Sequence, residues 1–230
     1  MIGYYLLSGI LFLIGMAVSS TLKRKFQEYG EMPLSEGLSG KEVAEKMLRD
    51  NNIYDVRVIS ADGFLSDHYN PTDKTVNLSP DVYSGRSISA AAVAAHECGH
   101  AVQHATAYSM LQLRSALVPI VQISTTLAQW VILAGLGVMG FGGGNQTILL
   151  IGIVLFAAST VFSLITLPVE YDASARALRW MEHTNLTTRY EHDKAADALQ
   201  WAARTYLVAA LASVAQLVYF VMVFLNRRDD

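Results

Sequence analysis

Four runs of apolar residues divide the chain, each long enough to cross a hydrocarbon layer about 30 Å thick, which takes about 20 helical residues. The first is "MIGYYLLSGILFLIGMAVSS", about residues 2–20. The others run from about Ala116 to Gly140, Thr147 to Leu167 and Tyr206 to Leu225. Two longer polar stretches lie between them, 30–112 and 168–205. In "SGKEVAEKMLRDNN", Val43, Met47 and Leu48 recur at helical spacing behind Ser39, a residue suited to capping a helix start. "VRVIS" and "TVNLS" are alternating and β-branched, and the loop between them is rich in Gly, Asp, Asn and Pro, so two short strands are predicted. From Ser87, "SISAAAVAAHECGHAVQHATAYSM" predicts a long alanine-rich helix. "PVEYDASARALRWMEH" and "DKAADALQWAARTYL" predict two more, the second running into the fourth apolar run. With no repeat, linker or low-complexity tract, the expected architecture is one membrane-integrated domain over 1–230. It is mainly α, with about four transmembrane helices and a small region of helices and short strands.

Composition agrees: 52% of the 230 residues are hydrophobic and 16% charged, and the excess is concentrated in the four runs. A net charge of −3, with Lys and Arg in scattered small groups, gives no footprint for nucleic acid. The single cysteine, Cys98, excludes an intramolecular disulfide and suits a reducing compartment. No basic residue precedes the first run, and "LKRK" follows it, the reverse of a secretory signal. An uncleaved anchor with its N-terminus outside is expected. Residues 20–115 and 168–205 would then face the cytoplasm, placing 15 of the 17 Lys and Arg residues inside, with Arg227 and Arg228 of the tail "NRRDD" as the exceptions.

Within the alanine-rich helix stands His96-Glu97-Cys98-Gly99-His100, an H-E-x-x-H pattern. Residues four apart on a helix differ by about 40° and about 6 Å along the axis, so two imidazoles can converge on one ion. A catalytic zinc usually keeps three protein ligands and a water. Glu97 borders the same face, where a carboxylate can take a proton from that water and pass it to a leaving amine. The bare pattern also arises by chance, but here it lies on a predicted helix, and a Glu interrupting an alanine run wants a reason. His104, about 12 Å along the axis from His96, is too far to be the third ligand, and Thr106 stands where a longer H-E-x-x-H-x-x-G-x-x-H pattern needs histidine.

The better third ligand is Glu170 in "LPVEYDASARAL", at the exit of the third run, which would complete a His₂Glu zinc set. The competing reading makes Glu170 an ordinary acid at a helix N-terminus. Asp172, Asp67, His68 and Asp193 are rival ligands. "TVNLS" is either a sheet edge that holds an extended substrate or one half of a plain hairpin. His68 and Tyr83 are candidate donors to an oxyanion.

Together, "VAAHECGHAVQHA", "LSDHYNPTDKTVNLSPDVYSGRS" and "LPVEYDAS" resemble the YugP-like membrane zinc metallopeptidases of bacteria, over nearly the whole chain. The resemblance implies a zincin-like cytoplasmic catalytic region in the bacterial plasma membrane. It implies Zn²⁺ held by His96, His100 and Glu170, Glu97 as general base, and a peptide or protein substrate. The chain is more distantly similar to the HtpX and CAAX-protease type, whose third ligand lies in a Glu-x-x-x-Asp element. Here the fourth position after Glu170 is Ser174. The carboxylate that orients the first histidine is therefore missing or supplied elsewhere, with Asp172 as the candidate.

Other signals carry less. "GLGVMG", Gly135 to Gly140, ends an apolar run without the strand and helix a dinucleotide site needs, so helix packing or an exit turn is expected. Cys98 points away from His96 and reads as an inert buried thiol. Trp130, Trp180 and Trp201 suit anchoring or packing. The expected function is a membrane-anchored zinc endopeptidase acting on membrane-associated or misfolded proteins. A site-2-type intramembrane protease is disfavoured, because no apolar run contains Asp-Gly. A non-catalytic zinc-binding scaffold or regulator is the alternative, and it would leave Glu97 without a use.

Overall fold

The computed structural model describes residues 2–63, 66–137 and 144–226. Its long helices are α1 (Ile2–Gly30), α4 (Ile88–Ala105), α5 (Ser109–Leu136), α6 (Gln146–His183) and α7 (Arg189–Asn226). Shorter elements fill the first polar stretch: α2 (Gly40–Asp50), β1 (Arg57–Ser60), β2 (His68–Asn70), β3 (Thr75–Leu78) and α3 (Pro80–Ser84). α1 from Leu6, α5, α6 and α7 are the four described helices long and apolar enough to cross a membrane. Residues 138–140 of "GLGVMG", the first half of "FGGGNQ" and the tail beyond Asn226 lie outside the described residues.

The chain divides into two compact units. The first comprises 1–16, 112–167 and 206–230, and the second 17–111 and 168–205. In the first, Ile132 of α5 packs with Leu149 and Ile153 of α6 and Phe220 of α7. Gly135 is the reason two helices can meet there: a Cβ at this position would run into the backbone of Leu149. Gly137 has φ +80°, a left-handed conformation suited to glycine. Both halves of the packing-or-turn reading of "GLGVMG" therefore apply, to Gly135 and Gly137 respectively.

In the second unit, α2 begins with a capping box. Ser39 Oγ accepts from the Glu42 backbone N–H, and Glu42 reaches back to the Ser39 N–H. Its apolar stripe, Val43, Ala44, Met47 and Leu48, is buried in one core with Ala91, Ala94, Ala95 and Cys98 of α4. Alanines on α4 keep its surface flat, so neighbouring elements approach its backbone closely.

The sheet corrects the reading of "TVNLS". The strand order is β1-β3-β2, with β3 parallel to β1 (Val58 opposite Val76) and antiparallel to β2 (Tyr69 opposite Val76). β3 is thus the central strand, buried along its length, so the substrate-binding edge does not hold; the plain-hairpin alternative does, with β2 as the other half and not β1. The connection from β1 to β3 is too long for a tight turn, and it contains β2. "HYN" carries no apolar alternation, which is why the sequence hides it. Its strand form comes from pairing with β3 and from Asn77 Nδ2, which donates to the His68 carbonyl at 3.3 Å.

α6 passes through Pro168 without ending, where the sequence predicts a fresh start. Proline removes one backbone donor and crowds the preceding turn, but long apolar helices tolerate it when neighbours re-satisfy the backbone. Glu170 therefore sits in the interior of a helix, and the helix N-terminus reading of this residue does not hold.

Candidate metal centre

Construction starts at the N-terminus of α4. Ser87 caps it, its Oγ accepting from the Ala90 N–H at 3.3 Å. Two turns on, His96 and His100 project from adjacent turns of one face, with ring centroids 4.8 Å apart and planes at 82°. α6 brings Glu170 against them. Glu170 Oε2 lies 3.3 Å from His96 Nε2 and 3.6 Å from His100 Nε2. One ligand atom from each of the three residues falls within 4.8 Å of the other two, and Glu170 is only 2% exposed.

Gly99 makes this approach possible. A Cβ there would sit 2.5 Å from the Ala173 carbonyl oxygen, a backbone atom that cannot swing aside. The glycine between the two histidines thus lets α6 lie against α4 at the turn that carries Glu170. An isolated glycine inside a helical pattern was the available signal for this role.

Both imidazoles are held from behind. His96 Nδ1 hydrogen-bonds Ser174 Oγ at 3.1 Å. His100 Nδ1 hydrogen-bonds Gln103 Oε1 at 3.0 Å, and Gln103 Nε2 donates to the Val169 carbonyl and to Asp172 Oδ2, both at 2.8 Å. Arg176 Nε donates to the same Asp172 oxygen at 2.6 Å. This corrects the expected role of Asp172. It serves the second histidine, through Gln103, while Ser174 itself partners the first. In each case the Nδ1 contact leaves Nε2 facing Glu170, the arrangement in which a histidine binds a metal.

Glu97 is 8% exposed, and its side chain makes no hydrogen bond or ion pair with another described residue. Its charge is felt next door. Burial pushes the His100 imidazole towards neutrality, but the Glu170 hydrogen bond and the negative charges of Glu97 and Glu170 prevail and raise its pKa above the ordinary value. The same negative charges also favour a cation at this spot. Two imidazole nitrogens and one carboxylate oxygen on a common centre are a donor set suited to zinc in a site with an open position.

The remaining candidates lie elsewhere. His104 is exposed and its Nδ1 bonds the Tyr69 hydroxyl at 2.7 Å. Asp67 accepts from the Ser79 N–H at 2.7 Å, and His68 Nδ1 meets the Ser66 carbonyl at 2.7 Å. Asp193 is exposed on α7, and Tyr83 lies under the Lys41 ammonium. None of them joins the cluster among the described residues. Cys98 is fully buried with its Sγ donating to the Ala44 carbonyl at 3.5 Å, and burial pushes its thiol well above the usual range, so it is inert.

Comparison with known proteins points the same way. Residues 4–225 match the family described as "Putative neutral zinc metallopeptidase". The chain is 42% identical over 209 residues to "Putative membrane protease YugP" of Bacillus subtilis (strain 168), covering 91% of each chain. No solved structure matches.

Proposed function

The chain belongs to the family described as "Putative neutral zinc metallopeptidase", and from that premise we propose that it is a membrane-anchored, gluzincin-type zinc endopeptidase working at the cytoplasmic face of the plasma membrane. The observation that carries the reading is the convergence of His96, His100 and Glu170 beside an uncommitted Glu97. A structural zinc site has no use for a free carboxylate at that position, which favours catalysis over a scaffold role.

His96 Nε2, His100 Nε2 and a Glu170 oxygen would hold the ion. Zinc, when bound, supplies Lewis acidity to a peptide carbonyl and to the attacking water. The Glu97 carboxylate accepts the proton that water gives up and later delivers it to the departing amine nitrogen. Ser174 and Gln103 keep both rings turned so that their Nε2 atoms face the centre. Four apolar helices favour substrates already at the bilayer, such as membrane-associated or misfolded proteins, and the distribution of Lys and Arg supports the cytoplasmic orientation.

Removing the metal tests this reading. Protein purified in detergent is expected to cleave an unfolded reporter polypeptide, to stop after chelation, and to recover with added Zn²⁺. Zinc-loaded protein that leaves every unfolded reporter intact would favour the scaffold, and cleavage that survives chelation would exclude the metal mechanism.

A further inference from the structure

Gln103 is completely buried on α4, one turn beyond His100, and its carboxamide is in contact with both ligand-bearing helices. Its orientation follows from its neighbours. The Val169 carbonyl and the Asp172 carboxylate can only accept hydrogen bonds, and both lie 2.8 Å from the same atom of Gln103. That atom must be the NH₂ nitrogen, since a flipped amide would set its oxygen against two acceptors. The oxygen therefore faces His100, and an oxygen 3.0 Å from Nδ1 requires a proton on Nδ1. In the neutral ring the lone pair is then on Nε2, the nitrogen nearest Glu170.

The relay extends further. Asp172 is pinned by Arg176 one turn along α6, and Arg176 stacks over Tyr108 at 5.8 Å. Val169 and Asp172 flank Glu170 in sequence, so the amide that fixes the His100 tautomer also ties α4 to the turn that presents the third ligand. Among the described residues His96 Nδ1 has no such charged chain behind it, only the Ser174 hydroxyl.

We propose that Gln103 and Asp172 are positioning residues for the metal centre: Asp172 orients the Gln103 amide, which holds His100 as an Nε2 ligand in register with Glu170. The inference rests on the zinc-site reading of His96, His100 and Glu170, but it concerns metal affinity and ligand field, whatever reaction follows.

Three variants decide it: Gln103→Met, which keeps the volume and loses every hydrogen bond; Gln103→Glu, which keeps an acceptor for His100 but opposes Asp172 and the Val169 carbonyl; and Gln103→Glu combined with Asp172→Asn, which returns a donor between the two side chains. Zn²⁺ affinity is read by competition with a chromophoric chelator, and ligand geometry by the visible absorption of the Co²⁺-loaded protein. Gln103→Met and Gln103→Glu are each expected to bind Zn²⁺ about tenfold to hundredfold more weakly than the parent, with an altered Co²⁺ spectrum. The double variant is expected to regain at least about tenfold over Gln103→Glu, within that same range. Parent-like affinity in either single variant, or no recovery in the double variant, overturns the proposal. If Gln103→Met does not fold, the comparison of Gln103→Glu with the double variant still decides. Should the parent bind zinc as expected but cleave nothing, the peptidase reading fails while the relay stands.

Discussion

Glu97→Gln is expected to keep its zinc and to lower the cleavage rate by about 10²- to 10⁴-fold, the range general acid–base catalysis contributes. The substitution is nearly isosteric, and the Glu97 side chain has no hydrogen bond or ion pair with a described residue for it to break. His96, His100 and Glu170 stay untouched, so metal content measured on the same preparation should match the parent. What disappears is a carboxylate next to His100 that can take up and return a proton. The loss should fall on kcat with KM little changed, because substrate contacts are not altered. Full activity in this variant would remove Glu97 from the chemistry.

Glu170→Ala is expected to lose roughly a hundredfold or more in zinc affinity, at least as much as losing an outer support of a ligand, and its activity at limiting zinc. Two imidazoles from one helix remain, but the only anionic ligand is gone and three protein ligands become two. The effect reaches beyond the missing bond. Glu170 is nearly fully buried against both histidines, and its removal leaves a buried imidazole, His100, and a partly buried one, His96, without the carboxylate that faces them. Equilibrium dialysis against a buffered zinc series measures the change. Parent-like affinity would mean that another group, such as Asp172, completes the set.

How much of this was readable beforehand depends on whether a feature is local or long-range. The four apolar runs announce themselves by length and composition, and the amphipathic α2 stripe because burial imposes a helical period on the sequence. H-E-x-x-H is equally local, and helix geometry alone pairs its histidines. Glu170 is seventy residues further on, and the sequence offered it alongside Asp172, Asp67, His68 and Asp193; only the packing of α6 on α4 separates them. Ser174 stands where the related element has a carboxylate, yet its hydroxyl at 3.1 Å from His96 Nδ1 meets the same need. Gln103 reads in sequence only as a polar residue on the motif helix, because the groups that orient its amide, Val169 and Asp172, lie on another element. β2 and the central position of β3 were hidden for the same reason: pairing partners, not residue preferences, make a three-residue polar segment a strand.

The central claim is that one zinc is held by His96, His100 and Glu170, and X-ray absorption at the zinc edge of the purified protein tests it most directly. The account predicts scattering from two imidazoles and from oxygen at about 2.0–2.2 Å, with one zinc per chain. A sulfur shell at about 2.3 Å, or an unchanged spectrum in Glu170→Ala, would contradict it.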